Sequence, residues 1–457
     1  MGRLVVVSNR VADPRKPGAG GLAVALGDAL RASGGLWFGW SGRTAEAGTA
    51  QAVQVQRAGD VTLATIDLSA ADHRAYYLGY SNSVLWPVFH YRINLADHEA
   101  GDVEGYRRVN RLLAQELRPL LRPDDLVWVH DYHLIPLAAE LRTLGCTQRI
   151  GFFLHIPLPP HTLLAAIPQH AWLMRSLMAY DLVGFQSRTD REHFADYLLR
   201  EAGGQALGDD TLQAWSRTVR ARALPIGIDV DEFQALGRGA EARETLQSMR
   251  ETYAARRLLI GVDRLDYSKG LPQRIRAFRR LLEAYPENRR RATLIQVAAP
   301  SREEVGAYAD IRRELEGLCG AINGDFGELD WMPVRFIHRT VARKRLPGLY
   351  RAAAVGLVTP LRDGMNLVAK EYVASQDPAD PGVLVLSRFA GAAEQLTDAL
   401  LVNPYDTAGT ADAIQQALHM PLEERVVRHA ALMQNLRTYD VHGWARDFLH
   451  ALADVHA

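Results

Sequence analysis

Several apolar runs in this chain end in residues suited to binding a polar or anionic ligand. Leu4–Ser8 is followed by Asn9 and Arg10, Leu126–Val129 by His130-Asp131-Tyr132-His133, and Phe152–Leu154 by His155. Leu258–Val262 leads into Asp263-Arg264-Leu265-Asp266-Tyr267-Ser268-Lys269-Gly270, and Thr293–Ala299 into Pro300-Ser301-Arg302. Val355–Thr359 leads into Pro360-Leu361-Arg362-Asp363-Gly364-Met365-Asn366. Arg264 and Lys269 flank a turn ahead of a helix expected near Leu271–Glu283. A positive pair beside a helix N-terminus can hold a diphosphate. The alternative is a surface loop bridged to Asp263 and Asp266. Lys occurs only at positions 16, 269, 344 and 370. In so Arg-rich a chain, a retained Lys suits a place that needs a compact ammonium, although codon bias explains the general excess of Arg.

From Asp363 to Glu371 the chain reads as a loop turning into a helix. If helical from Gly364, then Gly364, Leu367 or Val368, and Glu371 share a face. The helix start would offer amides to a phosphate, and Glu371 would accept two vicinal hydroxyls. The alternative is a solvent-facing Glu371 beside Lys370. His130-Asp131-Tyr132-His133 has neither HExxH spacing nor a companion Cys/His/carboxylate cluster, which disfavours a metal and favours hydrogen bonding to a polar substrate. Gly18-Ala19-Gly20-Gly21-Leu22-Ala23 formally fits GxGxxA, but it lies about ten residues beyond the first strand and lacks an acidic ribose partner. It reads as a phosphate-approaching loop or a plain connecting loop, not as a dinucleotide fingerprint. Trp37, Phe38 and Trp40, Tyr76 and Tyr77, and Trp86 with Phe89 form aromatic clusters that serve either a core or a sugar site.

These residues need a scaffold that brings strand ends together. Short runs rich in Val, Ile, Leu and Phe alternate with longer helical-period segments, the pattern of parallel sheets with crossover helices. Expected strands are Leu4–Ser8, Leu126–His130, Ile150–His155, Leu182–Phe185, Ala223–Ile228, Leu258–Val262, Thr293–Ala298, Val355–Thr359 and Val383–Leu386. Gly203–Asp209 and Gly237–Gly239 read as loops. Ligands of open parallel sheets bind outside the carboxyl ends of the strands. The economical fold is α/β, with two Rossmann-like doubly wound domains facing a common cleft. We expect domains at 1–235 and 236–440 and a final helix over 441–457.

The chain has 457 residues, a prior of two or three domains. Lys+Arg and Asp+Glu are both 53, so a nucleic-acid coat or polybasic membrane binder is disfavoured. Two cysteines, Cys146 and Cys319, make no disulfide framework or zinc spacing. Neither a signal peptide nor an apolar run of spanning length is read, so a cytoplasmic, soluble protein is expected.

Together these motifs closely resemble the trehalose-6-phosphate synthase family. The resemblance is carried by SNR at 8–10, GGLA at 20–23, WFGWSG at 37–42, LWPVFHYR at 85–92 and HDYHL at 130–134. FFLHIPLPP at 152–160, DRLDYSKG at 263–270 and TPLRDGMNLVAKEY at 359–372 complete it. It runs from about residue 4 to 440 and implies a retaining GT-B glycosyltransferase. Such an enzyme moves glucose from a nucleotide donor, typically UDP-glucose, to glucose 6-phosphate, without cofactor or metal. By this resemblance Arg264 and Lys269 hold the donor diphosphate and Glu371 the ribose. Asp363, Gly364, Met365 and Asn366 meet the donor glucose and phosphates, His155 meets the sugar, and Leu367 and Val368 line the nucleotide side. Gly20 and Gly21 approach the phosphates. Arg10 and Arg302 grip the acceptor phosphate, with Trp40, Tyr77, Trp86 and Asp131 shaping the acceptor pocket. Asp131, His155, Arg264, Lys269 and Asp363 are the candidate catalytic group.

The resemblance further implies that the final helix returns to the N-terminal domain; a following phosphatase domain is not expected. Partners are then small-molecule substrates, and homo-oligomerisation is left open. In the loop Thr340–Arg345, Val341 and Ala342 stand where relatives often carry an aromatic and an acidic residue. ADP-, GDP- or TDP-glucose therefore stay open as donors. The alternatives are a relative with another acceptor, such as glycerol 3-phosphate or a pseudo-sugar, and a non-catalytic sugar-phosphate sensor. Retention of Arg264, Lys269 and Glu371 speaks against the sensor.

Overall fold

A computed structural model of the chain describes residues 2–12, 26–27, 30, 34–46, 52–208, 210–254, 256–301 and 306–455. It divides into two compact units, Met1–Pro225 with His442–Ala457, and Ile226–Val441. The expected boundary at 235/236 falls inside a helix, Val230–Gly237, capped by the Asp229 side chain on Glu232 N–H.

The first unit holds β1 (Leu4–Arg10), β2 (Gly35–Thr44), β3 (Gln54–Ala58), β4 (Val61–Leu68), β5 (Leu126–His130), β6 (Arg149–Leu154), β7 (Leu182–Phe185), β8 (Gln205–Gly208), β9 (Thr211–Ala214) and β10 (Arg217–Ala223). Their order in one sheet is β3-β4-β2-β1-β5-β6-β7-β10-β9-β8. The central ladder from β4 to β10 is parallel, and its strands β1, β5, β6 and β7 are apolar on both faces because helices cover both. The helix Val441–Ala453 belongs to this unit. Phe448 stacks on Trp128 at 4.5 Å and Trp444 meets Phe153 edge-on at 5.1 Å. Gly151 and Gly184 admit Phe448, since a Cβ at either would lie within 3.0 Å of its ring.

The second unit holds β11 (Arg257–Arg264), β12 (Ala292–Ala299), β13 (Val334–Ile337), β14 (Val355–Val358), β15 (Val383–Ser387) and β16 (Leu400–Val402). The order is β13-β12-β11-β14-β15-β16, parallel throughout. Each unit is thus a Rossmann-like doubly wound sheet. No described helix is long and apolar enough to cross a membrane.

Two local expectations need correction. The strand expected over Ala223–Ile228 ends at Ala223, because Pro225 has no N–H to give a ladder. Gly203–Asp209 contains the edge strand β8, fully exposed and paired antiparallel to β9, so its pairing rests on backbone groups and leaves no apolar alternation to read.

The carboxyl ends of the second sheet are fixed by one buried cation. Arg274 is 1% exposed on the helix Leu271–Ala284. Its guanidinium pairs with Asp263 and donates to Thr359 Oγ1 at 3.0 Å and Gln296 Oε1 at 2.9 Å. It therefore joins the ends of β11 and β14 to the middle of β12. Arg274→Met would strand a buried carboxylate, and we expect a loss of about 3–5 kcal/mol in urea unfolding of this unit. Arg274→Met/Asp263→Asn should recover part of that loss; no recovery would mean that packing, and not charge, is the dominant cost.

Candidate functional site

In the second unit, the loop after β11 and the loop after β14 are locked together. Leu361 N–H donates to Ser268 O at 2.8 Å, and Asp266 receives Ser268 N–H at 2.9 Å and Tyr308 O–H at 3.0 Å. Gly270 has φ +65°, and a Cβ there would lie 2.4 Å from Thr359 O, so the residue that turns the chain into its helix must be glycine. The loop places Lys269 Nζ 2.5 Å from Asp363 Oδ2, and Asn366 Nδ2 donates to the same oxygen at 3.0 Å. Asp363 N–H donates to Phe389 O, and Asp363 O and Met365 O receive Gly391 and Ala392 N–H. Lys269 thus pairs across the sheet with Asp363, while Asp263 and Asp266, its nearer candidate partners, are occupied elsewhere. Arg264 stands exposed at the end of β11.

The helix begins at Leu367, not at Gly364, with Asn366 before it at φ 74°. Gly364 is therefore a loop residue. Met365 is buried at 3% exposure, so it can offer a ligand its backbone and not its side chain. Leu367 and Val368 are half-buried on the first turn, and Glu371 lies one turn on from Leu367. Lys370 is fully buried: its Nζ donates to Ile226 O and Gln395 Oε1, both at 2.7 Å. The exposed Glu371–Lys370 pair weighed above does not form. Glu371 is half-buried and receives Tyr350 O–H at 3.4 Å; burial pushes its carboxyl up to about 7, against a lowering by Arg343. Arg343 makes a bidentate pair with Glu232 at 2.6 and 2.9 Å, which closes the far side of this corner.

In the first unit, the strand order sets Arg10, Asp131 and His155 at the ends of the neighbouring strands β1, β5 and β6, with Trp40 of β2 opposite Arg10. Arg10 is exposed, and its guanidinium lies over Gly42, whose φ is +85° and where a Cβ would be 2.4 Å from Arg10 Nε. Asp131 adopts φ 76°, a costly conformation for a non-glycine residue. Bonds to the neighbouring strand hold it: its N–H donates to Phe153 O at 2.8 Å, and its Oδ1 receives His155 N–H at 3.2 Å. Trp40 is 6% exposed and packs 5.7 Å from Tyr77, which stacks on His133 at 5.8 Å. Trp86 lies 5.7 Å from Tyr132. Tyr76 and Tyr77 ride on a π-helical segment, His73–Leu85, that leads directly into Trp86. Gly20, Gly21 and Arg302 lie outside the described residues.

The His155 ring is fixed from two sides. Gln186 Nε2 donates to its Nδ1 at 3.2 Å, so its proton sits on Nε2 and goes to His130 Nδ1 at 3.0 Å. Both ring nitrogens are spent inside the protein. Burial pulls His155 down to about 3, and burial with the neighbouring His155 ring pulls His130 well below its usual range. Both rings are neutral near pH 7. Gln186 and Arg274 were missed in the sequence. Arg274 had a legible signal, since it interrupts the apolar stripe Leu271, Ile275, Phe278; Gln186 had the same signal as His155, a polar residue directly after an apolar strand.

Two Rossmann-like units, with Lys269 and Asp363 paired at the strand ends of the second and Glu371 one turn into the helix Leu367–Ser375, have the architecture of the GT-B class of glycosyltransferases. The chain belongs to glycosyltransferase family 20, whose model matches residues 7–454. A trehalose-6-phosphate synthase from Sinorhizobium fredii is 53% identical over 457 residues, covering 99% of this chain and 98% of the relative. One from Klebsiella pneumoniae is 49% identical and covers 100% and 96%. A UDP-forming alpha,alpha-trehalose-phosphate synthase from Burkholderia xenovorans, solved with glucose-6-phosphate, has a TM-score of 0.95 at 52% identity, covering 99% of this chain and all of that one. The E. coli trehalose-6-phosphate protein bound with UDP-2-fluoro glucose has a TM-score of 0.95 at 47% identity and 99% coverage of both chains.

The histidine pair sets an acid limit. Folded rings that cannot protonate lose to an unfolded chain that protonates near 6.5, so their contribution is complete above that value and falls as pH drops below it. Between pH 7.5 and 5.5 the loss should be about 1.4 kcal/mol for His155, with a further loss in the same direction from His130. Urea unfolding at both pH values should show this slope flattened in His130→Gln/His155→Gln; an unchanged slope would place the acid sensitivity elsewhere.

Proposed function

We propose that the protein is a retaining glucosyltransferase that moves glucose from UDP-glucose to glucose 6-phosphate, giving α,α-trehalose 6-phosphate and UDP. The observation that carries this is the Lys269–Asp363–Asn366 cluster beside the helix that bears Glu371, in a chain that matches trehalose-6-phosphate synthases over its full length. In this reading the second unit takes the donor. Arg264 and Lys269 hold the diphosphate, Gly364, Met365 and Asn366 present backbone and amide groups to sugar and phosphate, and Leu367 and Val368 border the nucleotide. Gly20 and Gly21 keep their assignment to the donor phosphates. Arg10 with Arg302 takes the acceptor phosphate, and Trp40, Tyr77, Trp86 and Asp131 take the acceptor sugar. His155 serves the transferred glucose through its backbone and ring edge, because its nitrogens are committed to Gln186 and His130.

As the glycosidic C–O bond breaks, negative charge grows on the departing diphosphate. Lys269 answers that charge as a positioned ammonium, since Asp363 takes one of its three donors and fixes its direction. The acceptor hydroxyl loses its proton to the departing phosphate oxygen on the same face as the new bond forms, which gives retention. His130 and His155 take no part as bases, because burial makes both rings poor proton acceptors and the His155 nitrogens are already bonded. Lys269→Ala should lower kcat by about 10²-fold or more, since the contact strengthens as the leaving group ionises. Near-normal kcat would remove Lys269 from this role. A matrix of UDP-, ADP-, GDP- and TDP-glucose against glucose 6-phosphate and glycerol 3-phosphate, with product stereochemistry by NMR, tests the reaction itself.

Glu371 adds a pH signature. Its carboxyl titrates at about 7 in the free protein, and only the ionised form accepts two ribose hydroxyls. Donor binding then expels a proton below pH 7 and needs none expelled above it. KM for UDP-glucose should therefore fall about tenfold from pH 6 to pH 8. Glu371→Gln should have a higher KM with this dependence removed; a retained slope would put the titrating group elsewhere.

A further inference from the structure

The amino ends of the second sheet enclose a cavity of about 420 Å³ that none of the assigned substrate residues line. Arg257 opens β11, Ala354 precedes β14 and Gly382 precedes β15, so the cavity lies at the edge opposite the loops that carry Lys269 and Asp363. Its charged lining is Arg250, Arg257, Arg351 and Arg425 against Asp377 and Asp380. Four arginines facing two aspartates leave a net charge of +2.

The two ion pairs do not exhaust the guanidinium groups. Arg351 pairs with Asp377 at 2.6 Å and Arg425 with Asp380 at 2.7 Å. Nε of Arg351 is nonetheless buried and hydrogen-bonds to no described residue. Arg250 and Arg257 are exposed at the rim, and their side chains hydrogen-bond to no described residue. Arg425 is further anchored to Met420 O and Pro381 O, so one wall is rigid while the rim arginines keep their forks for a ligand. The volume lies within the range of small-molecule sites. Planar forks in this number match the oxygens of a phosphate, which accepts bidentate pairs from several sides.

We propose that this cavity is a second anion site, which takes a small phosphate dianion, free or esterified, on Arg250, Arg257 and Arg351. The site has a short physical route to the donor corner. Arg351 follows Tyr350, whose hydroxyl donates to Glu371, and Gln376 in the cavity wall donates to Tyr350 O at 2.9 Å and Tyr372 O at 3.2 Å. An anion that draws on Arg351 thus acts on the helices that hold Glu371.

Calorimetric titration of the full chain with inorganic phosphate, and separately with methyl phosphate as a minimal ester, tests the proposal. The substrate sites also bind phosphate, so the comparison is with Arg250→Ala/Arg257→Ala, which touches neither. We expect the double variant to lose one binding event, or to weaken it at least tenfold, with kcat within twofold of the parent at low phosphate. Arg312→Ala/Arg313→Ala, two exposed arginines on the helix Gly306–Phe326, controls for general charge loss. Phosphate and methyl phosphate are the two sources of the same group, and an Arg250/Arg257-dependent event with either supports the site. Indistinguishable isotherms for parent and double variant, or equal weakening in the control, would overturn it. Equal or tighter binding of malonate at the same event would overturn the phosphate assignment.

Discussion

The second unit depends on a buried guanidinium. Taking Arg274 out of water is tolerable only because Asp263, Thr359 and Gln296 supply a counter-charge and oriented oxygens together. These partners come from the ends of β11 and β14 and the middle of β12, so satisfying the cation also sets the ends of β11 and β14 against each other. The loops that follow β11 and β14 start from those ends, and Leu361 N–H closes them onto each other through Ser268 O. Lys269 meets Asp363 across 94 positions of sequence because both loops start from this fixed base.

The first unit solves a related problem with rings and strain. Asp131 is held at φ 76° by bonds to the neighbouring strand, which turns its carboxylate onto the His155 amide. The His130–His155–Gln186 chain then commits both ring nitrogens of His155 internally, so a residue whose type suggests proton transfer has no ring nitrogen left for it. The π-helical winding over His73–Leu85 alters which aromatic faces which neighbour: Tyr76 reaches Asn9 at 2.8 Å, while Tyr77 lies against Trp40 and His133.

Burial in the second unit also separates adjacent residues with opposite formal charge. Lys370 points into the core, where desolvation pulls it down to about 7, and holds Ile226 O at the start of the unit. Glu371 points the other way, toward Tyr350, and desolvation pushes it up to the same value. One helical turn thus anchors the helix on one face and offers a titratable carboxylate on another.

The sequence alone determined the parallel-sheet architecture. Leu126–His130 and Leu182–Phe185 were read at their observed bounds, because strands buried on both faces are apolar runs and helix crossovers leave a longer period between them. The residue types at the strand ends were legible for the same reason: a buried strand stops where polar groups begin. β2 and β4 were not read, since Gly35, Gly39 and Gly42 resemble turn residues and the tryptophans between them resemble a cluster. The helix start at Leu367, the commitment of His155, the opposed burial of Lys370 and Glu371, and the choice of Asp363 over Asp263 for Lys269 were decided only by tertiary structure. Each depends on which polar partner stands within about 3 Å in space, and spacing along the chain carries no record of that distance.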